Sequence, residues 1–220
     1  MTLAVLGTLS IGYGAIVFFF GDPITRVYHD WRQRQMAHEL DKSFARFRPL
    51  IPKQSSGPGP KLLSPAEVRP LARRFSNEIG SGDPIGRIVI ASIGVNEIVI
   101  NGTRWAEDLS RGPGRYPQSS FPGLGEVTAI AGHRTTFGAP FRHIDELTNG
   151  DQIRLEMPYA TFVYRVFAHE VVRNDDWSIL HRRPFETLVL SACHPLYSAS
   201  HRWIVFARLR IVTAPARERA

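Results

Sequence analysis

Residues 3–20, LAVLGTLSIGYGAIVFFF, carry no charged side chain. As a helix these 18 residues rise about 27 Å at about 1.5 Å each, close to a bilayer core of about 30 Å. The run ends FFFGDPIT, without the small-x-small site that a cleaved signal peptide needs, so it predicts an uncleaved transmembrane anchor over residues 1–22. Asp22 and Pro23 then read as an N-cap followed by proline at the first helical position. Ile24, Val27, Tyr28, Trp31, Met36, Leu40, Phe44 and Phe47 recur at mostly three- and four-residue steps, which predicts a juxtamembrane helix with one apolar stripe, within residues 23–50. That helix packs on the domain or on the bilayer surface; a dimerising coiled coil is the lesser reading.

Residues 51–64, IPKQSSGPGPKLLS, have the composition of a linker. Ser64 and Glu67 form a capping-box pattern that starts a short helix, and Pro70 is expected to interrupt or restart it. From about residue 80 the period shortens to two. Two short strands are predicted over 86–91 and 95–100, with a turn between them. Residues 112–126 read as a Gly/Pro-rich loop, and 127–133 as a buried strand ending on His133. A helical turn or two over 140–147 precedes strands at about 150–157, 161–172, 186–193 and 202–212. Seven or eight strands with little helix predict a mainly β fold, a closed barrel or sandwich.

Composition adds little until the single cysteine. The chain has 220 residues, is 43% hydrophobic and 21% charged, and carries a net charge of +7. Its arginines are scattered, with no run of five basic residues, so the charge reads as a solvated basic surface and no nucleic-acid partner is expected. One cysteine excludes an internal disulfide and a cysteine-rich zinc site. No CxxC or HxxxH spacing supports a metal site, and no cofactor is expected. Alanine at position 199 excludes the phosphatase loop, in which an arginine follows the cysteine after five residues. Cys193 is therefore a buried structural thiol or a reactive one.

A catalytic thiol needs exposure, a proton partner and donors for an oxyanion. Cys193 follows the apolar run TLVLSA, at a predicted strand end; His133 follows VTAIAG in the same way, and Arg202 opens the next strand. Three strand ends at one rim bring thiol, imidazole and guanidinium together.

AIAGHRTTFGAPF (129–141) with LSACHPLYSASHRWIVF (190–206) resembles the sortase family, most of all the class E sortases of Gram-positive actinobacteria; GPGRYP (112–117) fits that class too. The resemblance covers about residues 80–212. It implies an eight-stranded sortase-type barrel, over residues 65–213 here, with a tail at 214–220. It implies a membrane-anchored cysteine transpeptidase with its catalytic domain on the extracellular side. The family's histidine, cysteine and arginine fall on His133, Cys193 and Arg202. Phe137, Ala192, His194 and Tyr197 are expected near the substrate. The implied partners are surface proteins with a C-terminal sorting signal like LPxTG or LAxTG, and a peptidoglycan-precursor amine.

The resemblance also implies roles. Cys193 attacks the threonine carbonyl, Arg202 holds that carbonyl or the peptide backbone, and His133 protonates the departing glycine amine. Two departures stand out: alanine at 192 where the family has threonine before the cysteine, and phenylalanine at 137 where the class usually has tyrosine. A weakly catalytic peptide-binding protein and a hydrolase that transfers to water remain the alternatives. Arg26, Arg32 and Arg34 follow the apolar run, so the positive-inside rule alone places the domain in the cytoplasm; a basic stretch upstream of Met1 removes the conflict, and the resemblance argues for the outward face.

Overall fold

The computed structural model of the chain describes residues 7, 12, 23–51 and 60–215. Apart from Gly7 and Gly12, the expected anchor (1–22) lies outside them, as do most of the linker and of the tail. Among the described residues no helix is long and apolar enough to cross a membrane.

The strands are β1 (Pro84–Ile90), β2 (Val95–Asn101), β3 (Gly114–Arg115), β4 (Val127–Ala131), β5 (Gln152–Met157), β6 (Ala160–Arg173), β7 (Thr187–His194) and β8 (His201–Thr213). They close into a barrel in the order β1-β2-β3-β4-β7-β8-β6-β5. Closure leaves no open edge, which suits a sheet that must bury one face and expose part of the other. The Gly/Pro-rich loop hides a two-residue strand. Gly114 and Arg115 of β3 pair parallel with β2 and antiparallel with β4. Only glycine fits at 114, because a Cβ there would lie 2.0 Å from the Gly102 carbonyl oxygen. The buried strand reaches Ala131, two residues short of His133.

Side-chain alternation divides β7. Leu188, Leu190 and Ala192 point into the inner core with Ile130, Val205 and Ala207. Val189 packs on the outer face with Val127, Ala129, Ile204 and Phe206, under Ile179 of the β6–β7 connection. Every residue of β4 is buried for this reason, covered on both faces.

The helices cover the barrel. Helix α2 (Pro65–Glu78) begins with the expected capping box: the Glu67 N–H donates to Ser64 Oγ, and the Glu67 carboxylate accepts the Ser64 N–H. Pro70 does not break it. The helix runs through, because the cap and the buried Val68, Ala72 and Phe75 hold it while Pro70 stays on the exposed face.

Helix α1 (Pro23–Phe47) differs from the predicted stripe in its first half. Val27, Tyr28 and Trp31 are exposed, while His29, Met36, Leu40 and Phe47 are buried. The face turned to the barrel is partly polar there. Gln33 accepts the Ile98 N–H at 2.7 Å and donates to the Arg111 carbonyl at 2.9 Å. Met36 and Leu40 pack against Ile98 and Ile100 of β2. Each such apolar side chain contributes about 1.5–3 kcal/mol when fully buried.

Candidate active site

β4 and β7 run parallel, with Ala131 beside Ser191. Parallel strands end at the same rim, so His133 and Cys193, each two residues further along, are brought to matching positions. The Gly132 N–H extends the pairing by donating to the Ser191 carbonyl at 3.0 Å. On the other side β7 and β8 are antiparallel, and Cys193 stands directly opposite Arg202. Directly opposed residues have Cβ atoms about 4.5–5.5 Å apart on one face. Thiol, imidazole and guanidinium thus meet on the outer face of the barrel.

They share a groove of about 620 Å³. Its lining includes Trp105 and Leu109, Ala131, Ser191 and Cys193 at the strand ends, and Tyr116, Trp177 and Asn174. Tyr197, Ser198 and Ala199 of the β7–β8 loop also line it, with Arg202. Arg202 is held in that loop by its own chain, as Nη1 donates to the Ala199 and His201 carbonyls, both at 3.0 Å. The Tyr116 hydroxyl donates to Ser191 Oγ at 3.2 Å, two positions before Cys193.

His133 is enclosed by aromatic rings. Phe137 lies 5.3 Å away and Trp105 6.3 Å, between ring centroids, and Trp105 meets Phe137 edge-on at 5.8 Å. Its Nε2 is buried and has no hydrogen-bond partner among the described residues. Burial holds the imidazole well below the ordinary histidine range, to about 4, and the neighbouring His29 adds to the effect. At neutral pH the ring is uncharged, with a nitrogen available to take a proton.

The loop that carries His133 is tied down from below by Arg134, which is 3% exposed. Arg134 donates from Nε and Nη2 to the Arg142 carbonyl at 3.2 and 3.1 Å, from Nη1 to the Cys193 carbonyl at 3.4 Å, and pairs with Asp145 at 2.6 Å. One guanidinium therefore ties the histidine loop to the cysteine strand.

The expected site residues divide. His133, Cys193, Arg202 and Tyr197 line the groove, and Ala192 borders it. The methyl of Ala192 belongs to the inner core, 2% exposed, because alternation turns it away from Cys193. His194 turns the same way and packs on Trp203 at 5.4 Å, off the groove wall. Phe137 is a backing group behind His133 and not a groove wall. Of these three, Ala192 borders the groove, while His194 and Phe137 are not among its lining residues. Trp105, Tyr116, Trp177, Arg134 and His29 were not singled out as site residues. Trp105, at 64% exposure, and Trp177, at 53%, carried a signal in being large aromatics inside polar segments, where packing alone does not require them. No group of three or more metal-ligating side chains occurs among the described residues.

The family described as sortase domain matches residues 88–210. Sortase D of Bacillus subtilis (strain 168) is 33% identical over 134 residues, which is 58% of this chain and 65% of that protein. Sortase SrtE1 of Streptomyces coelicolor is 32% identical over 89 residues, 36% of this chain and 25% of that protein. The chain therefore spans less than two thirds of the length of either curated relative. A Clostridium perfringens sortase D5 transpeptidase structure superposes with a TM-score of 0.63 at 24% identity, covering 81% of this chain and 98% of that one, which speaks for the fold. Sortase E1 from Streptomyces coelicolor, solved with a tripeptide in its active site, superposes at 0.58 with 26% identity over 60% of this chain and 91% of that one.

Proposed function

The chain belongs to the sortase family, and from that premise we propose that it is a cysteine transpeptidase working through Cys193, His133 and Arg202. The observation that carries the reading is the double register: Cys193 directly opposite Arg202, and His133 level with Cys193 across the parallel pair.

Each side chain has a step that its surroundings suit. His133, uncharged at rest, accepts the thiol proton as Cys193 sulfur attacks the carbonyl carbon of the sorting-signal threonine. A C–S bond forms and the carbonyl electrons move to oxygen, beside the Arg202 guanidinium, which is charged at any working pH. The tetrahedral intermediate collapses, the C–N bond breaks, and His133 passes its proton to the departing glycine amine. In the second half an amine nucleophile attacks the thioester, His133 takes the amine proton, and the thiolate leaves and regains that proton. Atoms and charge balance over the cycle, with no cofactor.

The substrate is a sorting signal of the LPxTG or LAxTG kind on a surface protein, and the accepting amine belongs to a peptidoglycan precursor. The apolar run at 3–20 supports a single-pass membrane anchor, with the catalytic domain on the extracellular side. For the class, the motifs at 112–117, 129–141 and 190–206 and the match to sortase SrtE1 support class E. The longer match to sortase D supports class D as the second reading.

The test uses the full chain in detergent with LAxTG and LPxTG peptides and a glycine-type amine, alongside Cys193→Ala, with products read by mass. An amide product from the wild type alone supports the transpeptidase. A free threonine carboxylate as sole product makes the protein a hydrolase. Binding without a Cys193-dependent product makes it a peptide-binding protein. The motif preference across the two peptides bears on the class.

A further inference from the structure

We propose that helix α1 is part of the catalytic centre, with Thr25 and His29 as positioning residues that hold the His133 loop; this rests on the transpeptidase reading above. The loop after His133 contains three consecutive residues in the left-handed region: Phe137 at φ 50°, Gly138 at 74° and Ala139 at 47°. Two of the three carry a Cβ, so this conformation persists only if its surroundings enforce it. Those surroundings come from α1. The Phe137 N–H donates to Thr25 Oγ1 at 2.9 Å. The His29 ring lies so close under Gly138 that a Cβ there would be 2.5 Å from His29 Cδ2. Phe137, fixed in this way, is the ring that backs His133.

His29 is itself held. It is 1% exposed, and its Nε2 pairs with Glu97 Oε2 of β2 at 2.9 Å. Four residues further along α1, Gln33 grips the Ile98 backbone through both halves of its amide. The helix is thus registered on β2 by polar contacts and delivers Thr25 and His29 to the loop. The titratable groups that meet His29 are Glu97 on β2, paired with it, and His133 across the loop; Asp30, Arg34 and Arg87 border a depression that reaches Glu97. A positive charge on His29 disfavours a second one on His133, the direction found for that ring. In the sequence α1 begins at Pro23, soon after the apolar run at 3–20, so the segment next to the expected anchor is the one that shapes the histidine loop.

The full chain is compared with Thr25→Val, Thr25→Ser and His29→Gln in three measurements: thermal midpoint, kcat and KM for peptide cleavage, and the His133 imidazole titration by NMR, assigned with His133→Gln. Thr25→Val is expected to lower kcat about tenfold or more with KM within about twofold, as misplacement of a catalytic group does. Thr25→Ser, which keeps the acceptor oxygen, restores most of that rate. His29→Gln moves the His133 titration upward, toward the ordinary histidine range. A Thr25→Ser rate as low as Thr25→Val, or a His133 titration unchanged in folded His29→Gln, overturns the proposal. If His29→Gln does not fold, the Thr25 pair decides. A wild type that cleaves no peptide sinks the transpeptidase reading alone, since the titration is read without turnover.

Discussion

Cys193 and Arg202 are direct cross-strand partners at the hairpin end of β7 and β8, on the face that carries the groove. The loop between them returns two carbonyls, of Ala199 and His201, to Arg202 Nη1. The charge is therefore fixed beside the sulfur by the same hairpin that presents the sulfur. A lysine keeps the charge but not the planar fork that reaches carbonyl and substrate together. Arg202→Lys is expected to lower kcat/KM about 100-fold, the scale of losing one preorganised oxyanion donor, with the thermal midpoint little changed. A variant within about threefold of wild type in the peptide assay would remove Arg202 from oxyanion stabilisation.

His133 makes stability depend on acid. Its folded pKa, about 4, is depressed below the ordinary 6.5. Between those values the unfolded chain binds a proton that the folded chain refuses, so the ring's contribution is intact above about 6.5 and is lost as pH falls toward 4. At about 1.4 kcal/mol per pH unit this amounts to roughly 3–4 kcal/mol at most. His133→Gln is expected to flatten the pH dependence of the thermal midpoint over that window. A parallel profile in the variant would place the acid sensitivity elsewhere.

Trp105 covers the ring that titrates. Trp105→Ala opens the His133 side of the groove to water, which weakens the desolvation that holds the imidazole uncharged. The expected result is a His133 titration at higher pH by NMR and a reduced kcat/KM, with the barrel intact by circular dichroism. An unmoved titration would show that Phe137 and the loop, not Trp105, exclude the water.

Arg134 carries the buried charge that the loop is built around. Arg134→Met leaves the Asp145 carboxylate and the Arg142 and Cys193 carbonyls without their donor. The Asp145 side chain is 38% exposed, so water screens the loss of that pair, and giving up the charged hydrogen bonds to the carbonyls costs about 1.5–3 kcal/mol. The thermal midpoint should fall by many degrees and peptide cleavage with it, and Arg134→Lys should recover only part, lacking the fork. A variant of wild-type stability would show that the loop is held chiefly by α1.

Much of the barrel was legible from local pattern. The runs that became β4, β7 and β8 are apolar and bounded by glycine, proline or charge, and the Ser64–Glu67 box starts α2 as written. β3 was not legible: Gly114 and Arg115 have no strand pattern, and they pair because β2 and β4 flank them. The buried face of α1 was misread in its first half because apolar Val27, Tyr28 and Trp31 outweighed His29 and Gln33, whose partners lie more than 60 residues away. Pro70 was read as a break because proline's cost is local, while what carries the helix past it is tertiary.

The site divides along the same line. The sequence by itself determined which groups are the candidates for the chemistry: one thiol at a strand end, one histidine at another, one arginine at the start of the next strand, in motifs specific enough to point to the sortase family. Those are covalent identities and short-range spacings, and no packing changes them. Only the tertiary structure decided that His194 and Phe137 lie off the groove wall while Trp105, Tyr116 and Trp177 line it, that the Ala192 methyl belongs to the inner core, and that α1 reaches the histidine loop. It also decided the low pKa of His133, because desolvation depends on which rings close around the imidazole once strands distant in sequence are side by side.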